Sequence, residues 1–222
     1  MSKILITGGG TGGHYYPLLA VAETIREIGG ELVDIYYMGD IKTSSAPYRR
    51  DIYSSLQQPK PETPQEEFAA QLRKLGVKIV PITGAKIRRY FDFLNIIDGV
   101  KFIYSILEAV IKIYKIMPEV IFSKGGGGSL AVILASRMFF IPLIIHESDS
   151  VPSLTARIGA KFATAIAVSF ESTVKYFKAA KTIVTGNPMR KEFIQESGLT
   201  SASAKNTLGF DPQTPLILVL GG

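Results

Sequence analysis

Lys3-Ile4-Leu5-Ile6-Thr7-Gly8-Gly9-Gly10-Thr11-Gly12-Gly13-His14 reads as a short apolar strand, a glycine-rich turn and the opening of a helix. The same grammar returns at Val120-Ile121-Phe122-Ser123-Lys124-Gly125-Gly126-Gly127-Gly128-Ser129. Turns of this kind bare backbone N–H groups at a helix N-terminus, where the macrodipole also favours negative charge. Two of them in one chain predict a site for a phosphate-bearing ligand, with a ligand of two anionic groups among the candidates.

Working outward, apolar β-branched runs alternate with helical periodicity, the pattern of βαβ units on a parallel sheet. Strands are predicted at Lys3 to Thr7, Leu32 to Met38, Lys78 to Ile82, Val120 to Ser123, Leu143 to His146, Ala165 to Val168 and Thr182 to Thr185. The clearest helices run His14 to Ile28, Phe93 to Met117, Ser129 to Phe139, Val151 to Ala160 and Ser172 to Ala179. The fold class is therefore α/β, a doubly wound, Rossmann-like parallel sheet. In the usual order 3-2-1-4-5, the first and fourth strands are neighbours and both glycine turns face one crevice. Asp40 to Glu67, with Pro47, Pro59, Pro61 and Pro64, reads as a long mobile loop leading into a helix that ends near Leu75. Pro215-Leu216-Ile217-Leu218-Val219-Leu220-Gly221-Gly222 looks like a new strand and a third glycine turn. The expected division is residues 1–190 as one domain, with 191–222 as a linker and the first strand of a second, truncated one.

Composition narrows the classes. The chain has 222 residues, 46% hydrophobic, without cysteine and with only His14 and His146. That leaves no disulfide frame or thiolate metal site, argues against a histidine-rich metal site, and fits a reducing compartment. The first residues run straight into the glycine turn without room for the apolar part of a signal peptide, so the protein is expected to stay inside the cell. Charged Asp98, Lys101, Glu108, Lys112 and Lys115 interrupt the apolar stretch from Phe93 to Met117 before the roughly 18 apolar residues of a membrane span. A net charge of +6 favours an anionic partner, whether a membrane surface, a phosphorylated substrate or nucleic acid. The absence of an RNA-binding aromatic signature or helix-turn-helix spacing argues against nucleic acid.

Four stretches could carry chemistry. Gly8, Gly10 and Gly13 have the spacing G-x-G-x-x-G of a dinucleotide site, with Asp40 as the ribose-holding carboxylate; tight strand-to-helix packing is the plainer reason for the glycines. His14 lies in the first helical turn, where the dipole lowers an imidazole pKa and leaves a neutral base for a hydroxyl over the turn; hydrogen bonding to the loop is the alternative. His146-Glu147-Ser148-Asp149 ends the fifth strand on the same carboxyl edge. Its two carboxylates could orient sugar hydroxyls or position a base, while Ser148 and Asp149 could simply cap the next helix. Neither carboxylate has metal-ligand spacing, and no metal is expected. Lys86-Ile87-Arg88-Arg89-Tyr90-Phe91-Asp92-Phe93 mixes basic and aromatic residues ahead of an amphipathic helix, which suits an anionic membrane surface or an ordinary core helix with a solvated basic turn.

With these stretches in hand, the sequence resembles the MurG family of membrane-associated UDP-N-acetylglucosamine transferases, which complete the lipid-linked peptidoglycan precursor. The matching residues are Gly9-Gly10-Thr11-Gly12-Gly13-His14 with Pro17 and Ala20-Val21-Ala22, Lys86 to Phe91, Phe122-Ser123-Lys124-Gly125-Gly126, Ile145-His146-Glu147-Ser148-Asp149 and Gly186-Asn187-Pro188-Met189-Arg190. The resemblance implies the N-terminal, acceptor-binding half of a GT-B glycosyltransferase. It places Thr11, Gly12 and Gly13, with Gly125, Gly126, Ser129 and Asp149, around a diphosphate or substrate. His14 becomes the candidate base with Glu147 as the alternative, Asn187 and Arg190 face the donor, and Arg88, Arg89, Tyr90 and Phe91 face the membrane. Two positions depart from the family pattern: Gly127 and Gly128 stand where an aromatic and a branched residue are usual, and Ala156 stands where asparagine is usual.

The implied reaction is inverting transfer of N-acetylglucosamine from UDP-GlcNAc to lipid I, giving lipid II, with no cofactor beyond the donor substrate. The implied partners are lipid I, UDP-GlcNAc and the anionic inner face of the cell membrane, where the protein would be a peripheral cytoplasmic enzyme. The alternatives are the acceptor-binding subunit of a split transferase acting on another lipid-linked sugar, a non-catalytic nucleotide or diphosphate-binding module, and, third, a nicotinamide oxidoreductase.

Overall fold

Leu5 and Ile6 are consecutive, both wholly buried, and they belong to different hydrophobic clusters. A strand whose successive side chains are both buried must lie inside a sheet covered on its two faces. In the computed structural model, which describes residues 1–9, 12–41, 63–84, 94–191 and 200–217, that strand is β1 (Ser2–Thr7). It pairs in parallel with β2 (Val33–Gly39) on one side and β4 (Val120–Ser123) on the other. With β3 (Lys78–Pro81), β5 (Leu143–Glu147), β6 (Ala165–Val168) and β7 (Thr182–Val184), the sheet has seven parallel strands in the order β3-β2-β1-β4-β5-β6-β7. This is the expected doubly wound order, continued by two further strands. The direction of winding reverses between β1 and β4, the point at which such sheets open a crevice at their carboxyl edge.

Helices α1 (Gly12–Gly29) and α2 (Pro64–Lys74) cover one face. There Leu18, Leu19, Ala22, Phe68, Ala69 and Leu72 meet Ile6, Ile35 and Tyr37 of the sheet. Helices α3 (Leu94–Ile116) and α4 (Ser129–Met138) cover the other, where Ala109, Ile113, Ala131, Val132 and Ile133 meet Leu5, Met38, Ile121, Leu143, Ile145 and Ile166. The buried set is almost wholly aliphatic, each large side chain contributing about 1.5–3 kcal/mol of transfer free energy.

Several boundaries differ from the sequence reading. Helix α2 begins at Pro64, inside the stretch expected to be loop, because Thr63 caps it: the Thr63 hydroxyl accepts the Glu66 N–H at 3.3 Å. Residues 42–62 of that loop lie outside the described residues. Helix α5 (Leu154–Gly159) starts three residues later than expected, where Ser153 accepts the Ala156 N–H at 3.2 Å. Helix α6 is only Glu171–Val174. Beyond it Tyr176 and Phe177 donate to Thr173 and Val174, tight turns that bring Val174 and Phe177 onto the core.

The chain divides after Met189 into two compact units, Met1–Met189 and Arg190–Gly222. The second contains α7 (Ser201–Thr207), absent from the sequence reading and capped by Thr200, whose hydroxyl accepts the Ser203 N–H. Lys205 Nζ donates to the carbonyls of Pro212 at 3.2 Å and Thr214 at 2.8 Å, closing the following loop. Residues 215–217 carry no strand, and the rest of the strand and turn expected there lies outside the described residues.

Candidate active site

The two glycine turns touch. Lys124 donates its N–H to the Thr7 carbonyl at 2.9 Å, and Gly9 donates its N–H to the Gly125 carbonyl at 3.3 Å. Gly125 (φ +87°) and Gly126 (φ +94°) both occupy the left-handed region that glycine tolerates and other residues resist. A Cβ on Gly126 would fall onto the Gly9 carbonyl oxygen. Only glycine therefore lets the second turn lie this close against the first.

Each turn is braced from behind. Tyr37, wholly buried on β2, donates its hydroxyl to the Gly8 carbonyl at 2.5 Å, and its ring stands edge-on to Phe68, which stacks on Tyr15. Burial raises the Tyr37 pKa well above its usual 10.0, so this phenol stays a donor. In the second turn, the Ser123 hydroxyl accepts the Gly125 N–H at 3.2 Å, and the buried Ser129 hydroxyl donates to the Gly126 carbonyl at 2.8 Å. Helix α4 starts behind Gly128 without a side-chain cap. The Ser129 N–H turns back onto the Gly126 carbonyl at 3.2 Å, so an anion at this helix start would meet the N–H groups that follow it.

The loop after β5 supplies the polar wall. Glu147 is buried, and its carboxylate accepts the Asp149 N–H at 3.0 Å through Oε1 and the Ser153 N–H at 2.8 Å through Oε2. That bond pair folds the loop and delays α5 to Leu154. Asp149 is exposed at its tip. His146, also buried, donates Nε2–H to the Gly186 carbonyl at 2.9 Å, since a carbonyl can only accept. It thereby ties β5 to the segment after β7 that carries Asn187.

Half-buried His14 sits in the field of this wall. Burial is the larger cause that lowers its pKa below 6.5, Lys124 lowers it further, and Asp149 and Glu147 pull the other way. The imidazole is a neutral group at neutral pH. Sequence reasoning points to the helix end as the origin of that effect; the structure adds burial and a buried ammonium. Lys124 and Tyr37 were without a role in that reasoning. For Lys124 the signal was its place between a strand and four glycines.

Gly12, Gly13, His14, Gly125, Gly126, Ser129, Glu147 and Asp149 thus gather at the carboxyl edge around β1, β4 and β5. Asp40, the ribose candidate of a dinucleotide site, is wedged between Gly84 and Gly128: a Cβ on Gly84 would strike its carboxylate, and one on Gly128 would lie 3.3 Å from its N. Thr11, Arg88, Arg89, Tyr90 and Phe91 lie outside the described residues, and Arg190 begins the second unit.

On α3, Val100, Ile103, Tyr104, Leu107, Ile111 and Tyr114 are each more than half exposed. Their three- and four-residue spacing sets them on one face. None of the described helices is long and apolar enough to cross a membrane.

A doubly wound parallel sheet with two contacting glycine turns at its switch point is the N-terminal domain architecture of GT-B glycosyltransferases. Residues 57–168, about half of the chain, match the glycosyltransferase family 28 N-terminal domain, and the chain belongs to that family. Over 222 residues it is 33% identical to a UDP-N-acetylglucosamine--N-acetylmuramyl-(pentapeptide) pyrophosphoryl-undecaprenol N-acetylglucosamine transferase of Clostridium botulinum, covering all of this chain and 54% of that protein. A second such transferase, from Bacillus cereus, is 33% identical over 225 residues, 55% of its length. This chain thus spans about half the length of the curated relatives it matches. Among solved structures, Acinetobacter baumannii MurG superposes with a TM-score of 0.60 at 20% identity, over 93% of this chain and 53% of that one. Anabaena Alr3699/HepE in complex with UDP gives 0.55 at 13% identity, over 94% and 50%. At those identities the two structures speak for the fold.

Proposed function

We propose that this chain is the acceptor-binding half of an inverting transferase that moves N-acetylglucosamine from UDP-GlcNAc to the muramoyl C4 hydroxyl of lipid I, giving lipid II. The observation that carries the reading is the contact of the two glycine turns. It brings the starts of α1 and α4 to neighbouring points on the sheet's carboxyl edge, which supports a ligand with two phosphates there, with a neutral imidazole beside it. His14 takes the proton of the attacking hydroxyl as the anomeric carbon–UDP bond breaks. Gly12, Gly13 and Gly126 hold the acceptor diphosphate through main-chain N–H groups, with Thr11 in the same turn, while Gly125, whose N–H is taken by Ser123, lets the second turn bend against the first. Ser129 and Glu147, whose polar atoms are engaged in shaping their own loops, keep the turn and the wall in place. Asp149, exposed at the wall, orients sugar hydroxyls, and Asn187 and Arg190 serve the donor.

The acceptor is lipid-linked, so the reading includes a membrane surface. The exposed apolar face of α3, with Lys101 and Lys115 exposed beside it, supports an anionic lipid surface as partner, together with Arg88, Arg89, Tyr90 and Phe91 just upstream. Residues 1–190 then form the acceptor domain, and 191–222 lead into a donor domain.

The test is transfer by the complete gene product supplied with UDP-GlcNAc and lipid I, in wild type and in His14→Ala. General-base loss predicts a fall of about 10²–10⁴-fold in kcat. A variant within a few-fold of wild type removes His14 as the base and leaves a binding module as the better account.

A further inference from the structure

Lys124 is buried, at 3% exposure, and its ammonium makes one hydrogen bond among the described residues, to Ser148 Oγ at 2.8 Å. An ammonium carries three protons, and holding one out of water with a single neutral partner is costly. Counter-charge does not account for it: among the described residues no carboxylate is in ion-pair contact with Lys124. Glu147 spends both oxygens on the N–H groups of Asp149 and Ser153. The side chain is also placed at the centre of the cleft edge. Its main-chain N–H holds the root of the first turn at Thr7, its Cβ is 3.2 Å from where a Gly8 Cβ would be, and its ammonium ends at the loop after β5.

We propose that the Lys124 ammonium is a ligand of the acceptor diphosphate, donating to a non-bridging phosphate oxygen at the junction of the two glycine turns while Ser148 holds it in position. The proposal rests on the diphosphate reading of the cleft. It adds a point charge to a cradle otherwise made of main-chain dipoles, and it explains why a cation is kept buried where none of the fold's own anions meets it. Burial lowers the Lys124 pKa, opposed by Glu147 and Asp149. A bound diphosphate would oppose that shift and favour the charged form. The same cation disfavours imidazolium at His14, which faces Lys124, Asp149 and Glu147. One residue thus serves both the anion and the base.

Isothermal titration with inorganic pyrophosphate, on wild type and Lys124→Met, reads the ligand role. Loss of a charge-assisted hydrogen bond predicts affinity weaker by about tenfold or more. Because the ammonium is buried at a cost, the variant is expected to melt at or above the wild-type temperature. Its His14 imidazole resonances are expected to titrate at higher pH than in wild type, which loss of a merely structural residue would not produce. In wild type the Cε resonance of Lys124 must shift when pyrophosphate is added, a readout that holds even if the variant folds poorly. Equal affinity in a folded variant, or a silent Lys124 resonance at saturating pyrophosphate, overturns the proposal and leaves the diphosphate reading intact. Absence of pyrophosphate binding by wild type overturns both.

Discussion

Substituting alanine at Gly125 and at Gly126 separates two costs that the structure assigns differently. Both glycines have positive φ, +87° and +94°, so either alanine takes on left-handed strain of about 1–2 kcal/mol. Both also lower the entropy of the unfolded chain equally, a gain that cancels in the comparison. A Cβ on Gly125 meets nothing within 4 Å, whereas one on Gly126 lands on the Gly9 carbonyl oxygen. That atom is backbone, and the peptide unit just before it is held at both of its polar groups, the Gly8 carbonyl by Tyr37 and the Gly9 N–H by the Gly125 carbonyl. Relief requires the turns to part, at about 1–3 kcal/mol beyond the strain. In urea unfolding followed by circular dichroism, Gly126→Ala should therefore be the less stable of the two by that increment. The melting temperature should fall by a further 3 °C or so per kcal/mol for a domain of this size. Pyrophosphate binding should weaken more in Gly126→Ala, because parted turns no longer present their N–H groups together. If the two variants are equally stable and bind alike, the turns are not in contact and the single-groove argument fails with them.

Acid sensitivity follows from two histidines. His14 and His146 both have folded pKa values below 6.5, chiefly through burial, so the unfolded chain binds more protons below that pH. Stability should be level above 6.5 and fall as pH drops through the folded values, seen as a lower urea midpoint at about pH 5.5 than at about pH 7.5 and a flatter profile in His146→Gln. Glu147→Gln replaces one of two acceptor oxygens with a donor aimed at a main-chain N–H, and should cost about 1–3 kcal/mol in urea unfolding, with no loss if the loop bonds are incidental. Ile103→Asp with Leu107→Asp on the exposed α3 face should abolish sedimentation with phosphatidylglycerol vesicles while leaving the melting temperature nearly unchanged; undiminished sedimentation would remove that face from the membrane reading.

How much of this was legible in the sequence depends on the range of the interaction that decides each feature. β1, β4 and the two turns are local grammar, apolar runs closed by glycine, and their adjacency follows from the winding rules of parallel sheets. The start of α2 was equally local, since Thr63-Pro64-Gln65-Glu66 is a capping sequence with proline at the first helical position, but the prolines before it drew the whole stretch into a loop. Helix α6 stopped short for a reason no window shows: Val174 and Phe177 must both reach the core, which the i+3 turns after Thr173 allow. In the site, glycine and histidine were visible as types. The partners that define them were not: Tyr37 lies 29 residues from Gly8, and Lys124 lies 24 from Ser148.

The departure at Gly127 and Gly128 has a packing reason at one of its two positions. Asp40 follows β2 directly and passes close enough to α4 that a Cβ on Gly128 would sit 3.3 Å from its N and 3.5 Å from its Cβ. On its far side the carboxylate occupies the space a side chain on Gly84 would need. Gly84, Asp40 and Gly128 are thus one packing unit, in which two absent side chains admit a third residue beside the second turn. A larger residue at 128 asks the segment after β2 to give by a few tenths of an ångström or more, so the missing branched residue and the course of the chain after Gly39 are coupled. Nothing in the structure explains Gly127, which is exposed.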